Sequence, residues 1–143
     1  MFRSLDEQSV ELDVVLYNPS FRERGPFLDL DPERTRKSLM VTAYGGFVVA
    51  QEAARRMVPR GSGAILFTGA SASVKGYAQS APFAMGKFAL RGLAQSMARE
   101  LGPQGIHVAH FIVDGGVRNQ ARPERIDALD LSLIHISEPT RPY

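Results

Sequence analysis

Few side chains in this sequence sit where chemistry could be done. Asp114 follows the apolar run 106–113, and Asn18 follows the run 12–17. In open α/β sheets, ligands bind outside the carboxyl ends of the strands, so both residues stand at ligand-side positions. Each also serves as an ordinary turn former, Asn18 in Asn18-Pro19-Ser20 and Asp114 before Gly115 and Gly116. Arg22 and Arg24 lie in the segment after the first run, on that same side, where an arginine is usually solvated. Lys87 lies within a long helical pattern, and the bland reading makes it a solvated helix lysine. His107 and His110 are three apart in a strand pattern and point to opposite faces, so they cannot pair on a metal. The absence of cysteine excludes thiolate nucleophiles, disulfides and Cys-ligated zinc.

The elements that must hold these residues can be read from periodicity. Runs 12–17, 64–68 and 106–113 read as strands. The run 64–68 is continuously apolar, as suits a strand buried on both faces. Asp31-Pro32 reads as a helix N-cap with proline at the first position, opening a helix to about Val58. A second helix spans 81–101, with Leu90, Leu93, Ala94, Met97 and Leu101 on one stripe and Arg91, Gln95 and Arg99 opposite. Gly61, Gly63 and Gly102-Pro103 stop the helices. The order is β-α-β-α-β. Helical crossovers make the strands parallel and the connections right-handed, so the expected fold class is α/β, half of a doubly wound parallel sheet. Residues 39–50 are apolar almost all round, which implies a second contact, a further subunit.

Composition sets the outer limits. The 143 residues allow one domain of average size, and 44% hydrophobic with 22% charged residues is ordinary for a globular protein. A net charge of +2, with acids and bases alternating, gives no basic block for nucleic acid. No apolar run approaches the roughly 20 residues that span a bilayer. Asp6 and Glu7 stand where a signal peptide is apolar, so a cytoplasmic location is expected.

The segments Gly63-Ala64-Ile65-Leu66-Phe67-Thr68-Gly69-Ala70-Ser71-Ala72-Ser73 and Phe83-Ala84-Met85-Gly86-Lys87, with 87–105 after them, resemble the short-chain dehydrogenase/reductase superfamily. The resemblance covers about 12–119 and implies a partial Rossmann fold holding strands 4, 5 and 6 of the parent. It implies an NAD or NADP oxidoreductase whose parent is a homodimer or homotetramer acting on an unknown small molecule. In such enzymes a tyrosine moves the proton. A lysine four residues later lowers its pKa and holds the nicotinamide ribose. A serine on the preceding turn bonds the substrate oxygen, and an asparagine in the long helix supports a proton relay. Here the lysine is Lys87, but the tyrosine position holds Phe83, the serine position Ala70 and the asparagine position Thr42. Ser71, beside Ala70, is a possible substitute serine, and Ser73 is near. The resemblance assigns cofactor contacts to Asn18, Lys87, Asp114, Gly115 and Val117. The usual Pro-Gly turn is Asp114-Gly115, and the usual following threonine is Asn119.

No Gly-rich phosphate-binding turn is found, so strands 1–3 of the fold are expected to be missing, and the chain alone to be inactive and unable to bind the dinucleotide. Residues 131–141 resemble an in-frame translation of a transposase sequencing adapter. The expected division is therefore 1–130, an incomplete dehydrogenase-like domain, and 131–143, an artefactual tail.

Overall fold

The computed structural model of the chain describes residues 2–8, 10–114, 116–117, 128–129 and 135–136. A short helix α1 (Phe2–Glu7) precedes strand β1 (Val14–Tyr17). Helix α2 (Pro32–Leu39) starts as its sequence dictates: the Asp31 carboxylate accepts from the Arg34 N–H at 2.7 Å, and Pro32 needs no partner for a missing N–H. A π-helical turn, Met40–Tyr44, then leads without a break into α3 (Gly45–Met57). The single long helix expected from the sequence is thus one rod with a widened turn inside it. Strand β2 (Gly63–Ala70), helix α4 (Ala81–Leu101) and strand β3 (Ile106–Val113) complete the β-α-β-α-β order.

The three strands are parallel in the order β1-β2-β3, as the crossovers require. Val15, Ile65 and Val108 are in register, as are Tyr17, Phe67 and His110. These two rows point at the helices. With Ala50, Ala53, Met57, Leu90 and Ala94 they form the core. Phe67, Met57, Ile65 and Leu90 are fully buried, and each contributes about 1.5–3 kcal/mol by leaving water. The α4 stripe read from the sequence supplies Leu90 and Ala94 to this core, while Leu93, Met97 and Leu101 pack at its margin.

The opposite face differs from the sequence reading. Val14 and Leu16 are each 59% exposed, and Ala64, Leu66 and Thr68 are half-buried. The run 64–68 is therefore covered on one face only, because α3 and α4 both pack on the Ile65–Phe67 side. The rod from α2 to α3 is likewise covered on one side. Met40, Tyr44, Phe47 and Val48 remain exposed, and Tyr44 stacks on Phe47 with ring centroids 6.1 Å apart. Short strands β4 (Gly116–Val117) and β5 (Ala128–Leu129) pair with each other in parallel. Within the expected artefactual tail, β6 (His135–Ile136) pairs antiparallel with Phe111 and Ile112 of β3.

Candidate functional site

The carboxyl ends of β1 and β2 and the first turns of α4 bring the candidate residues together. Lys87 is not a solvated helix lysine; it is 3% exposed. Its ammonium donates to the Thr68 carbonyl at 2.7 Å, and burial pushes its pKa down to about 8. Phe83, one helical turn earlier, is half-buried and lies between two cations. The Lys87 Nζ is 5.8 Å from its ring centroid and the Arg22 guanidinium carbon is 4.9 Å from it.

The turn after β2 is held by an interior network. The Ala70 N–H donates to Ser73 Oγ at 3.1 Å, and Ser73 Oγ shares a 3.3 Å hydrogen bond with His110 Nε2. Room for the imidazole comes from Gly69: a Cβ there would lie 2.1 Å from His110 Cε1. Burial, helped by the charges of Lys87 and Arg91, pushes the His110 pKa down to about 4, so the ring is neutral at pH 7. Ser73 is fully buried in this network and Ser71 is half-buried beside it. His107 is exposed and His110 buried, on opposite faces as the strand period demands.

Thr42 sits in the π-helical turn, fully buried. Such turns recur at functional sites because they shift side chains out of the regular helical register. A methyl on Gly86 would come 3.0 Å from Thr42 Cβ, so this glycine lets the rod approach α4 next to Lys87. The Thr42 hydroxyl oxygen accepts from the Phe21 N–H at 3.3 Å. Ser38, four residues earlier and also fully buried, donates to the Phe21 carbonyl at 2.7 Å. Two hydroxyls on one helix stripe thus clamp the backbone of Phe21, immediately before Arg22. Ser38 and this clamp were not singled out from the sequence; the only available signal was the i, i+4 spacing of two hydroxyls in an otherwise apolar helix pattern.

Asn18 and Asp114 are exposed at the ends of β1 and β3. Val117 lies in β4, whereas Gly115 and Asn119 fall outside the described residues. Among the described residues no group of three or more His, Cys, Asp or Glu is placed to hold a metal ion, and no helix is long and apolar enough to cross a membrane.

The sequence profile of the short chain dehydrogenase family matches residues 1–127. The chain belongs to this family. The family is one of oxidoreductases with a Rossmann-type fold, and nicotinamide dinucleotides are its cofactors. The chain is 31% identical over 108 residues to the 3alpha-hydroxysteroid dehydrogenase of Mediterraneibacter gnavus, covering 76% of this chain and 43% of that protein. A crystal structure of a short-chain dehydrogenase from Rhodopseudomonas palustris superimposes with a TM-score of 0.73 at 42% identity, covering 78% of this chain and 52% of the other. A gluconate 5-dehydrogenase from Burkholderia cenocepacia, solved with NADP and tartrate, superimposes with a TM-score of 0.77 at 26% identity over 83% and 48% of the two chains. The chain thus spans about half the length of these proteins or less.

Proposed function

We propose that the chain is the substrate-side half of an NAD(P)-dependent oxidoreductase in which the proton-moving residues of the family are largely replaced. The observation that carries this reading is Lys87. Its buried ammonium is held by the Thr68 carbonyl at the end of β2, one turn after Phe83. Burying an ammonium costs stability, which the bond to the Thr68 carbonyl offsets only in part. The residues that would hold a nicotinamide dinucleotide are those the resemblance assigns, Lys87 in α4, Asn18 after β1, and Asp114, Gly115 and Val117 after β3. A bound nicotinamide supplies the hydride donor or acceptor. Phe83 has no proton to give and Ala70 no hydroxyl, while Thr42 spends its oxygen on Phe21. Among these positions only Lys87 exchanges a proton near neutral pH, because burial has brought its pKa to about 8. Ser71 is the remaining hydroxyl able to orient a substrate oxygen.

A second reading, a catalytically silent relative that binds a dinucleotide or a partner, is favoured by Phe83 itself, which fills the tyrosine's place with two cations against its ring. The two readings separate on turnover. In the full-length protein, Phe83→Tyr with Ala70→Ser restores the missing hydroxyls. A silent protein gains carbonyl reductase activity or stays silent, whereas an unmodified protein that already turns over alcohols at ordinary rates sinks the silent reading.

The same proposal covers the rest of the assembly. We assign residues 1–130 to the dehydrogenase domain and 131–143 to a translated adapter. Met40, Tyr44, Phe47 and Val48, together with Met85 and Phe88 of α4, are exposed and apolar. They support a homodimer or homotetramer built on these helices. A monomeric full-length protein on light scattering would contradict that assembly.

A further inference from the structure

We propose that Tyr17 is a positioning residue of this site: its hydroxyl holds the π-helical turn Met40–Tyr44 in place, and that turn aims Thr42 and Ser38 at the loop after β1. The inference deepens the oxidoreductase reading and rests on it for what the site binds. In an α-helix the Gly45 N–H would donate to the Val41 carbonyl, four residues back. Here it donates to Met40, five residues back. The Val41 carbonyl receives the Tyr17 hydroxyl in its place. A side chain inserted into the i→i−4 ladder is a known cause of such a local departure from the α-helix.

The tyrosine is held for this contact. Its ring is buried and stands edge-on to Phe67, with centroids 6.4 Å apart. Burial pushes its pKa up, so the hydroxyl keeps its proton and donates. Two glycines of the rod make room for it. A Cβ on Gly45 would overlap the hydroxyl, and one on Gly46 would lie 3.3 Å from Tyr17 Cε1. The strand end, the glycine pair and the widened turn therefore fit one another as a unit.

The widened turn decides which way the hydroxyls of the rod face. Its buried residues Ser38, Thr42, Gly46 and Ala50 recur every four residues. At roughly 3.6 residues per turn such a stripe drifts by about 120° from Ser38 to Ala50. One extra residue in a π-helical turn takes back about 100° of that drift. With Ala50, Ala53 and Met57 seated in the core, the turn thus keeps Thr42 and Ser38 on the buried side. There Thr42 accepts from the Phe21 N–H and Ser38 donates to the Phe21 carbonyl. Thr42 also lies against Gly86, the residue before Lys87. Tyr17 acts through the turn on the loop at the ligand-side end of β1 and on the flank of Lys87.

The test uses the full-length protein and pairs Tyr17→Phe, which keeps the ring and removes the hydroxyl, with Gly45→Ala. In the unmodified protein Gly45→Ala sets a methyl against the hydroxyl and should lower the melting midpoint. In the Tyr17→Phe background that space is free, and the same change should raise the midpoint, since alanine favours a helix over glycine. Hydrogen exchange separates positioning from plain core filling. Tyr17→Phe should speed exchange about fivefold in 18–25 and 39–46 and leave 63–70, the β2 segment, as protected as before. Gly45→Ala alone, which displaces the hydroxyl, should give the same pattern. NADH affinity should fall by about threefold in Tyr17→Phe. A midpoint shift of the same sign in both backgrounds, unchanged exchange in 18–25, or faster exchange in all three segments together would overturn the inference. So would NADH affinity that is indifferent to Tyr17→Phe. If the unmodified protein binds no NADH, the oxidoreductase reading fails, and the melting and exchange results alone decide what Tyr17 holds.

Discussion

The two faces of the sheet are built to different standards. On one, Val15, Ile65 and Val108, then Tyr17, Phe67 and His110, lie beneath α3 and α4. On the other, Val14 and Leu16 are open and Leu66 is half-covered. The covered face supplies the core that fixes the site's backbone, and every buried hydroxyl or imidazole described above belongs to it or to the turns on its side. The site's geometry is set by the covered face, while the open face carries apolar surface that a complete doubly wound sheet would place under further helices.

The largest effect expected from this contrast is a core truncation on the covered face. Phe67→Ala should lower the stability of the full-length protein by about 3–5 kcal/mol, read from the denaturation midpoint, because it empties a fully buried ring site. A loss under 1 kcal/mol would mean that the covered face is not the core. Next is the imidazole on that face. His110 is neutral when folded, with its pKa pushed down from 6.5 to about 4, so the unfolded chain binds the extra proton first. The stability this contributes is fully present above pH 6.5 and falls as the pH drops toward 4, by about 3 kcal/mol from the size of the shift. His110→Gln should flatten that part of the stability profile, and an unchanged slope would place the imidazole in solvent.

Smaller is the hydroxyl clamp. Thr42→Val removes the acceptor for the Phe21 N–H and should cost about 1–2 kcal/mol, whereas Thr42→Ser keeps the acceptor and most of the stability. Equal costs would show that the methyl group, not the oxygen, matters there. Smallest in free energy is the open face. In the 143-residue chain expressed alone, Leu16→Asp should raise the soluble yield, since it puts a charge on an exposed apolar strand at the edge of the sheet. In the full-length protein the same change should destabilise. A matching response in both would mean that nothing covers this face.

Much of the fold was legible in the sequence. The strand runs, the Asp31-Pro32 cap and the stripe on 81–101 each state their own element through period or end chemistry. Coverage of the sheet was not legible. The apolar run 64–68 reads as a strand buried twice, yet which helices pack on which face is decided by crossovers, not by the strand's composition. The π-helical turn at 40–44 left no trace either, because one i→i+5 turn barely disturbs helical spacing. In the site, the positions of Lys87, Phe83, Ala70 and Thr42 could be assigned by resemblance, but their contacts could not. Arg22 reads as an ordinary loop arginine until the fold sets it against a ring 61 residues further along the chain. The partners of Ser38 and Thr42 were not legible either, because Phe21 reaches them from the preceding loop.

The most direct test of the account is dinucleotide binding by the full-length protein, compared with Lys87→Met. Micromolar affinity for NADH or NADPH is expected, falling by about tenfold or more in the variant, with the fold intact by circular dichroism. A full-length protein that binds neither dinucleotide, or one whose affinity is indifferent to Lys87, would contradict it.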